Sequence, residues 1–168
     1  MIPAIFLLAF VTTERLGELW LARRNTAALL AKGAYEVAPG HYPLIVLLHA
    51  AWLAGLWGFG AARALDPGWL VVFLVLQGLR VWVLATLGRR WTTRIIVLPG
   101  APLVRTGPYR LLTHPNYAVV VGEIAVLPLC LGLPWYALAF SVANFVILAI
   151  RIRAENGSMV AMRDFITS

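Results

Sequence analysis

Long apolar runs constrain the fold of this chain more than any other feature of its sequence. Residues 44–62 contain no Asp, Glu, Lys or Arg, and residues 69–87 contain one such residue, Arg80. About 20 apolar residues in a helix cross the hydrocarbon layer of a bilayer, which is about 30 Å thick. Charged residues make up 12% of the chain, whereas a soluble domain carries about 25%. The chain therefore has too few charged residues to cover the surface of a soluble domain, and its composition is typical of a protein embedded in lipid.

Five such runs can be placed along the 168 residues. The predicted spans are residues 2–21, 44–62, 69–87, 117–133 and 135–150. Backbone groups in lipid must bond within their own segment, so each span is predicted to be a helix. We expect an all-α integral membrane protein with about five transmembrane helices, forming one domain over residues 1–168.

The basic residues are distributed unevenly over the connections between these spans. Residues 22–43, residues 88–116 and the tail lie on one predicted side, which holds eleven of the 14 Lys and Arg residues. The opposite connection holds Arg63 alone. Cytoplasmic loops of membrane proteins are enriched in Lys and Arg, so the basic side is predicted to be cytoplasmic. This bias explains the net charge of +7, and no nucleic acid partner is expected.

Several polar residues interrupt the apolar runs in the half nearer the basic side. They are Glu14, Glu18, Arg80, Glu123 and Asn144. Ionisable groups in lipid are normally paired or face a polar cavity. Two interpretations follow. Glu14 or Glu18 forms a structural salt bridge with Arg80, or the residues surround a polar pocket in which Glu123 and Asn144 contact a substrate.

The longest polar stretch connects the third and fourth spans. Residues 88–116 read GRRWTTRIIVLPGAPLVRTGPYRLLTHPN. Residues 95–98 predict a short extended segment, and Pro115 suits the first turn of a helix. That helix start should present free N–H groups and a positive dipole end, which can hold a carboxylate. The alternative is a surface loop whose arginines bind anionic lipid.

Two signatures in this half of the chain resemble those of a known enzyme superfamily. Residues 103–117 read LVRTGPYRLLTHPNY and residues 151–155 read RIRAE. Together they resemble the isoprenylcysteine carboxyl methyltransferase and phospholipid methyltransferase superfamily over about residues 80–155. Residues 15–25, RLGELWLARRN, and residues 40–43, GHYP, resemble a bacterial branch. Some members of that branch O-methylate alkylresorcinols or alkylpyrones.

The resemblance implies a membrane-embedded methyltransferase that uses S-adenosyl-L-methionine and releases S-adenosyl-L-homocysteine. It implies a cofactor-binding region over about residues 88–155. The cofactor contacts that it implies are Arg94, Ala101, Pro102, Leu103, Val104, Tyr109, His114, Pro115, Asn116, Tyr117 and Glu155. Arg151 matches the acceptor-binding arginine of the family, and Arg151, Glu155 and His114 are the expected catalytic residues. With Arg151, the pocket residues Glu123 and Asn144 are expected to bind the acceptor.

The identity of the acceptor stays open at this point. A lipophilic phenol of the alkylresorcinol type and a prenylcysteine carboxylate both fit O-methylation, and a phospholipid amine would be N-methylated. A non-enzymatic transport or scaffold protein is the alternative of another class. His41, His49 and His114 do not have the spacing of metal ligands, so no metal is predicted. The expected location is a bacterial inner membrane, among membrane lipids, with the active site facing the cytoplasm.

Overall fold

The computed structural model describes residues 2–40 and 42–153 with their side chains, and residues 41 and 154–167 as backbone. Five helices cover most of this part of the chain: α1 (Ile2–Leu30), α2 (Tyr42–Gly60), α3 (Pro67–Leu87), α4 (Pro115–Cys130) and α5 (Pro134–Thr167). Two short strands, β1 (Tyr35–Glu36) and β2 (Ile96–Val97), form an antiparallel pair. The predicted all-α fold and the extended segment near residues 95–98 are confirmed.

The bounds of three helices differ from those of the predicted spans. The first continues to Leu30, beyond predicted residue 21, because the polar segment after it is rich in good helix formers. The fourth begins at Pro115 and ends at Cys130, before predicted residue 133, where a turn with Gly132 at φ 65° precedes Pro134. The fifth continues past predicted residue 150 to Thr167, because charged residues end an apolar run without breaking a helix.

Three helical segments of the described chain are long and apolar enough to cross a membrane. They are Tyr42–Gly60, Pro67–Arg90 and Pro134–Arg153. Helix α4 has 16 residues and is about 24 Å long at 1.5 Å per residue. Helix α1 combines an apolar first half with charged residues that turn inward. The protein is thus an integral membrane protein built from five packed helices.

The apolar core lies in the half of the bundle away from the strand pair. Its fully buried residues include Leu8 and Val11 of α1, Trp52 and Leu56 of α2, Phe73 of α3, and Ile124 and Leu127 of α4. Asp66 caps the start of α3 by accepting hydrogen bonds from the N–H groups of Gly68 at 2.8 Å and Trp69 at 3.0 Å. This capped, apolar end holds the helices together, and the polar end carries the connections that build the site.

A buried ion network joins α1, α3 and α4 next to this core. Arg80 is 3% exposed, and its Nη1 donates to Glu18 Oε1 at 2.8 Å while its Nε donates to Glu123 Oε1 at 2.7 Å. Arg80 Nη2 also contacts Glu123 Oε2. Arg15 bonds to Glu123 at 2.7 Å and to Glu18 at 2.8 Å. The salt bridge expected between Glu18 and Arg80 is therefore present, whereas Glu14 lies 3.7 Å from Arg15 instead.

Candidate active site

The connection between α3 and α4 is held against α1 and the first connection by specific hydrogen bonds. The buried Asn25 amide donates to the carbonyl groups of Trp91 at 2.8 Å and Gly88 at 3.2 Å. Strand β1 pairs with β2 in the register Tyr35 to Val97 and Glu36 to Ile96. Because both sets of contacts join segments distant in the sequence, they hold the connection between α3 and α4 in a fixed position against the helical bundle.

A cavity of about 870 Å³ lies under this loop. Nine of the residues that the family resemblance assigned to the cofactor line it: Arg94, Ala101, Pro102, Leu103, Val104, Tyr109, His114, Asn116 and Tyr117. Pro115 is not in the lining and is the first residue of α4. The Glu155 side chain lies outside the described residues. These nine residues, which lie between positions 94 and 117 of the sequence, therefore line a single cavity. The volume of this cavity falls in the range typical of ligand-binding sites.

The start of α4 contributes fewer free N–H groups to this cavity than expected. Pro115 has no N–H, and the N–H groups of Tyr117 and Ala118 bond to the His114 carbonyl at 3.1 and 3.3 Å. Among the backbone groups that the structure describes, none accepts a hydrogen bond from the N–H of Asn116, which can donate to a ligand. The His114 ring stacks on Tyr117, with ring centroids 5.1 Å apart and an interplanar angle of 14°.

Arg94 is positioned at the edge of the cavity by two contacts. Its Nη1 donates to Glu36 Oε2 at 2.8 Å, and its guanidinium lies 4.4 Å from the centroid of the Tyr42 ring. The hydrogen bond with the Glu36 carboxylate raises the pKa of Arg94 above its ordinary value. Arg94 therefore stays charged and can attract an anionic group into the cavity.

A second cavity of about 290 Å³ lies between α1, α2, α4 and α5. Its lining includes Asn144, which is 5% exposed, and also His49 and Tyr42. Glu123, the other pocket residue expected to bind substrate, lines neither of these two cavities. Both Glu123 carboxylate oxygens are engaged by Arg15, Gln77 and Arg80. The role of Glu123 in substrate binding stays a prediction, and its geometry is that of an ion-network residue.

The two cavities have a wall in common. Five residues line both: Trp91, Thr92, Asn116, Tyr117 and Arg151. Arg151 is 9% exposed; its Nε donates to Tyr117 Oη at 2.9 Å and its Nη1 donates to the Thr93 carbonyl at 2.8 Å. Among the described residues, none forms a hydrogen bond with Arg151 Nη2. Arg151 is thus a fixed cation between the two cavities, and its Nη2 can donate to a ligand.

Sequence reasoning did not assign roles to two residues near this wall. Tyr42 Oη lies 3.2 Å from Thr93 Oγ1, and Thr93 also accepts from Arg151 through its carbonyl. Tyr42 belongs to the GHYP segment at residues 40–43. This motif, which resembles the bacterial branch, is the feature of the sequence that could have indicated a role for Tyr42. Thr93 belongs to no motif, and its bond to Arg151 comes from its backbone carbonyl, which no side-chain pattern reveals.

The fold and these two joined cavities define an integral membrane protein with a binding site at the polar end of its helical bundle. The chain belongs to the isoprenylcysteine carboxyl methyltransferase family, whose model matches residues 69–161. Its members use S-adenosylmethionine, so the chain is, at the level of the family, an S-adenosylmethionine-dependent membrane methyltransferase.

Two relatives extend the similarity over nearly the whole chain. The chain is 37% identical to the uncharacterized protein YpbQ of Bacillus subtilis (strain 168), over 91% of this chain and 94% of the relative. It is 25% identical to an uncharacterized protein of Haemophilus influenzae, over 90% of this chain and 91% of the relative. No solved structure matches the chain.

Proposed function

We propose that the protein transfers a methyl group from S-adenosylmethionine to an oxygen atom of a lipophilic acceptor. The larger cavity takes the cofactor and the smaller one takes the reacting end of the acceptor. The observation that carries this assignment is the wall common to both cavities, where Arg151 and Tyr117 face each volume. Transfer of a methyl group from a bound cofactor to a bound acceptor requires a place where the two molecules can be held next to each other and water can be excluded.

The donor groups of the larger cavity fit the cofactor. Arg94 and the N–H of Asn116 suit its carboxylate. Tyr109 and Tyr117 offer aromatic faces for the adenine and for the sulfonium cation. By the family resemblance Glu155 pairs with a cationic part of the cofactor. When bound, the cofactor supplies a methyl group on a sulfonium centre, and S-adenosylhomocysteine is the product.

Arg151 is the residue proposed to hold the acceptor oxygen. Its Nε and Nη1 are occupied by Tyr117 and Thr93, so the guanidinium is oriented and Nη2 can donate to an anionic oxygen. A prenylcysteine-like carboxylate is already ionised at neutral pH. A phenol of the alkylresorcinol or alkylpyrone type has a pKa of about 10 and must lose its proton first. His114 or Glu155 is proposed to accept that proton.

The fixed charge of Arg151 favours an oxygen acceptor over a phospholipid amine. An amine must approach the methyl donor at the wall where a buried guanidinium already lies, and a nearby cation disfavours its positively charged product. Transport along a path of buried charges is also disfavoured, because Glu18, Arg80 and Glu123 are paired with one another. Methyl transfer to oxygen is therefore the reaction that the site supports best.

The proposed orientation places the larger cavity on the cytoplasmic side of a bacterial inner membrane. Its lining includes five arginines, and four of them belong to the loop between α3 and α4: Arg90, Arg94, Arg105 and Arg110. Loops rich in arginine remain in the cytoplasm. The cofactor would then enter from the cytoplasm, and the acceptor would enter the smaller cavity sideways from the bilayer.

Two measurements test the proposal. Isothermal titration calorimetry of the purified protein in detergent should show binding of S-adenosylmethionine and S-adenosylhomocysteine. Incubation with methyl-labelled S-adenosylmethionine and the lipid extract of the source cells, followed by mass spectrometry, should yield a labelled lipid ether or ester. Absence of binding to either cofactor form would overturn the enzyme assignment, and a labelled lipid amine would overturn transfer to oxygen.

A further inference from the structure

Three buried side-chain N–H groups without a hydrogen-bond partner belong to residues of the smaller cavity. Within the described part of the chain, Arg15 Nε, Trp52 Nε1 and Trp91 Nε1 are buried and have no partner. All three residues line the smaller cavity. A buried donor without a partner is destabilising, and such groups in native proteins usually have a functional reason. This cavity therefore suits a ligand that brings oxygen atoms with free lone pairs.

Trp91 differs from the other two residues because it also lines the larger cavity and so belongs to the common wall. Other side chains of that wall already have partners. The Thr92 hydroxyl donates to the Arg94 carbonyl at 2.8 Å, and the Tyr117 hydroxyl accepts from Arg151 at 2.9 Å. The indole N–H of Trp91 is thus an uncommitted donor at the place where the two proposed ligands meet.

The position of Trp91 is fixed by contacts of its backbone and of its ring. The Asn25 amide donates to the Trp91 carbonyl at 2.8 Å, and the Trp91 N–H donates to the Gly88 carbonyl at 3.1 Å. Trp91 is 3% exposed and packs with Ala22 of α1 and Val83 of α3. Because this donor is already oriented, it loses little conformational freedom on binding and can hold a ligand atom in one place.

We propose that the indole N–H of Trp91 donates to the oxygen atom that is methylated, and that this bond selects oxygen over nitrogen acceptors. An ionised oxygen has several lone pairs, so one can accept from Trp91 while another forms the new O–CH₃ bond. The electron pair of the broken S–CH₃ bond stays on the sulfur atom, and the oxygen becomes neutral. The inference rests on the proposed function, because it assigns the common wall to the reacting oxygen.

A nitrogen acceptor cannot use this donor in the same way. A neutral amine has a single lone pair, which cannot both accept from Trp91 and attack the methyl group. The oxygen of an ether or ester product keeps a lone pair for Trp91, whereas an ammonium product has none. Reaction of an amine would therefore leave the indole N–H buried without a partner, which disfavours it by about tenfold. This selection adds to that by the charge of Arg151.

The experiment removes the indole N–H and keeps the shape of the ring. Trp91→3-benzothienylalanine replaces the N–H group with sulfur. Two probes of the same shape, 3-pentadecylphenol and 3-pentadecylaniline, differ in the reacting atom. In the substituted protein, kcat/KM for methylation of the phenol should fall about tenfold, and that for the aniline should stay within about twofold.

Two controls separate this role from a general effect on the fold. The same replacement of Trp69, which is 41% exposed and lines neither of these two cavities, should leave both rates within about twofold. Calorimetry with S-adenosylhomocysteine reports whether each protein is folded, and the protein substituted at Trp91 should keep its affinity for this ligand.

The indole N–H resonance of Trp91 gives a direct readout by nuclear magnetic resonance. It is observed in protein that contains isotope-labelled tryptophan and is assigned through Trp91→Phe. It should move downfield when 3-pentadecylphenol is added to the complex with S-adenosylhomocysteine. Pentadecylbenzene, which lacks the oxygen atom, should leave it in place.

The results that overturn the role of Trp91 differ from those that overturn the proposed function. An equal fall in rate for phenol and aniline, or a Trp91 resonance that responds to S-adenosylhomocysteine and not to the phenol, would overturn the role of Trp91. Failure of the wild type to bind any form of the cofactor would overturn the methyltransferase assignment instead. Preference of the wild type for the aniline would overturn both the selection by Trp91 and transfer to oxygen.

Discussion

The Nε atom of Arg151 donates a hydrogen bond of 2.9 Å to the hydroxyl oxygen of Tyr117, across the wall that separates the two cavities. The two residues come from different helices, α5 and α4, and the guanidinium lies 5.3 Å from the centroid of the Tyr117 ring. Tyr117 in turn stacks with His114. A cation, a phenol and an imidazole are thus held in one row beside the larger cavity, and the first two of them also border the smaller one.

Replacement of Arg151 by alanine should abolish turnover while it leaves cofactor affinity largely intact. The expected loss in kcat is about 100-fold or more, since the donor to the reacting oxygen is removed. Arg151→Lys should rescue little, because an ammonium cannot hold Tyr117, Thr93 and a ligand in the geometry of a guanidinium. Methyl transfer assays and calorimetry with S-adenosylmethionine check both statements. Equal loss of turnover and binding would move Arg151 to the cofactor site.

His114→Ala should distinguish the two kinds of oxygen acceptor. A phenol needs a base, so its methylation should fall by about 100-fold, whereas that of a carboxylate should change little. The matched variant His114→Phe keeps an aromatic ring against Tyr117 and lacks only the nitrogen atoms. Rates for 5-pentadecylresorcinol and for a prenylcysteine analogue are the measurements. If phenylalanine restores methylation of the phenol, stacking and not proton transfer is the role of His114.

Arg94→Ala and Glu36→Gln form a matched pair at the edge of the larger cavity. The ion pair between them is partly exposed, and such pairs contribute only about 0.2–1 kcal/mol to stability. We expect Arg94→Ala to weaken cofactor binding about tenfold through loss of the charge, and Glu36→Gln to weaken it by less than about threefold. Calorimetry at low and high salt measures both. Similar losses in the two variants would show that Arg94 acts by holding the strand pair.

Arg80→Leu should destabilise the helical bundle strongly. It leaves Glu18 and Glu123 buried with only Arg15 between them, and breaking a buried ion pair costs about 3–5 kcal/mol. Thermal unfolding in detergent measures the effect, with the exposed Arg23→Leu as a control that should shift the midpoint little. The double variant Arg80→Leu/Glu123→Leu should be less destabilised than the sum of the single ones. Additive effects would contradict a coupled network.

Hydropathy located the helices of this protein well and their ends less well. The predicted span of residues 44–62 corresponds to Tyr42–Gly60, and that of residues 69–87 to Pro67–Leu87. Helices α1 and α5 continue beyond their predicted spans, because apolarity reports contact with lipid and not where hydrogen bonding along a helix stops. The turn before Pro134 begins after Cys130, three residues earlier than the predicted end of the fourth span, since it is built from apolar residues.

The sequence alone determined that the protein is embedded in lipid, that its fold is helical, and which loop borders the larger cavity. These follow from local features: apolar runs, a bias in basic residues, and two motifs whose residues are close together in the chain. Only the tertiary structure decided which face each intramembrane polar residue presents. Glu123 and Asn144 have similar predicted depths, yet one completes an ion network and the other borders a cavity. That difference depends on the rotation of each helix about its axis, which is set by packing against helices distant in sequence.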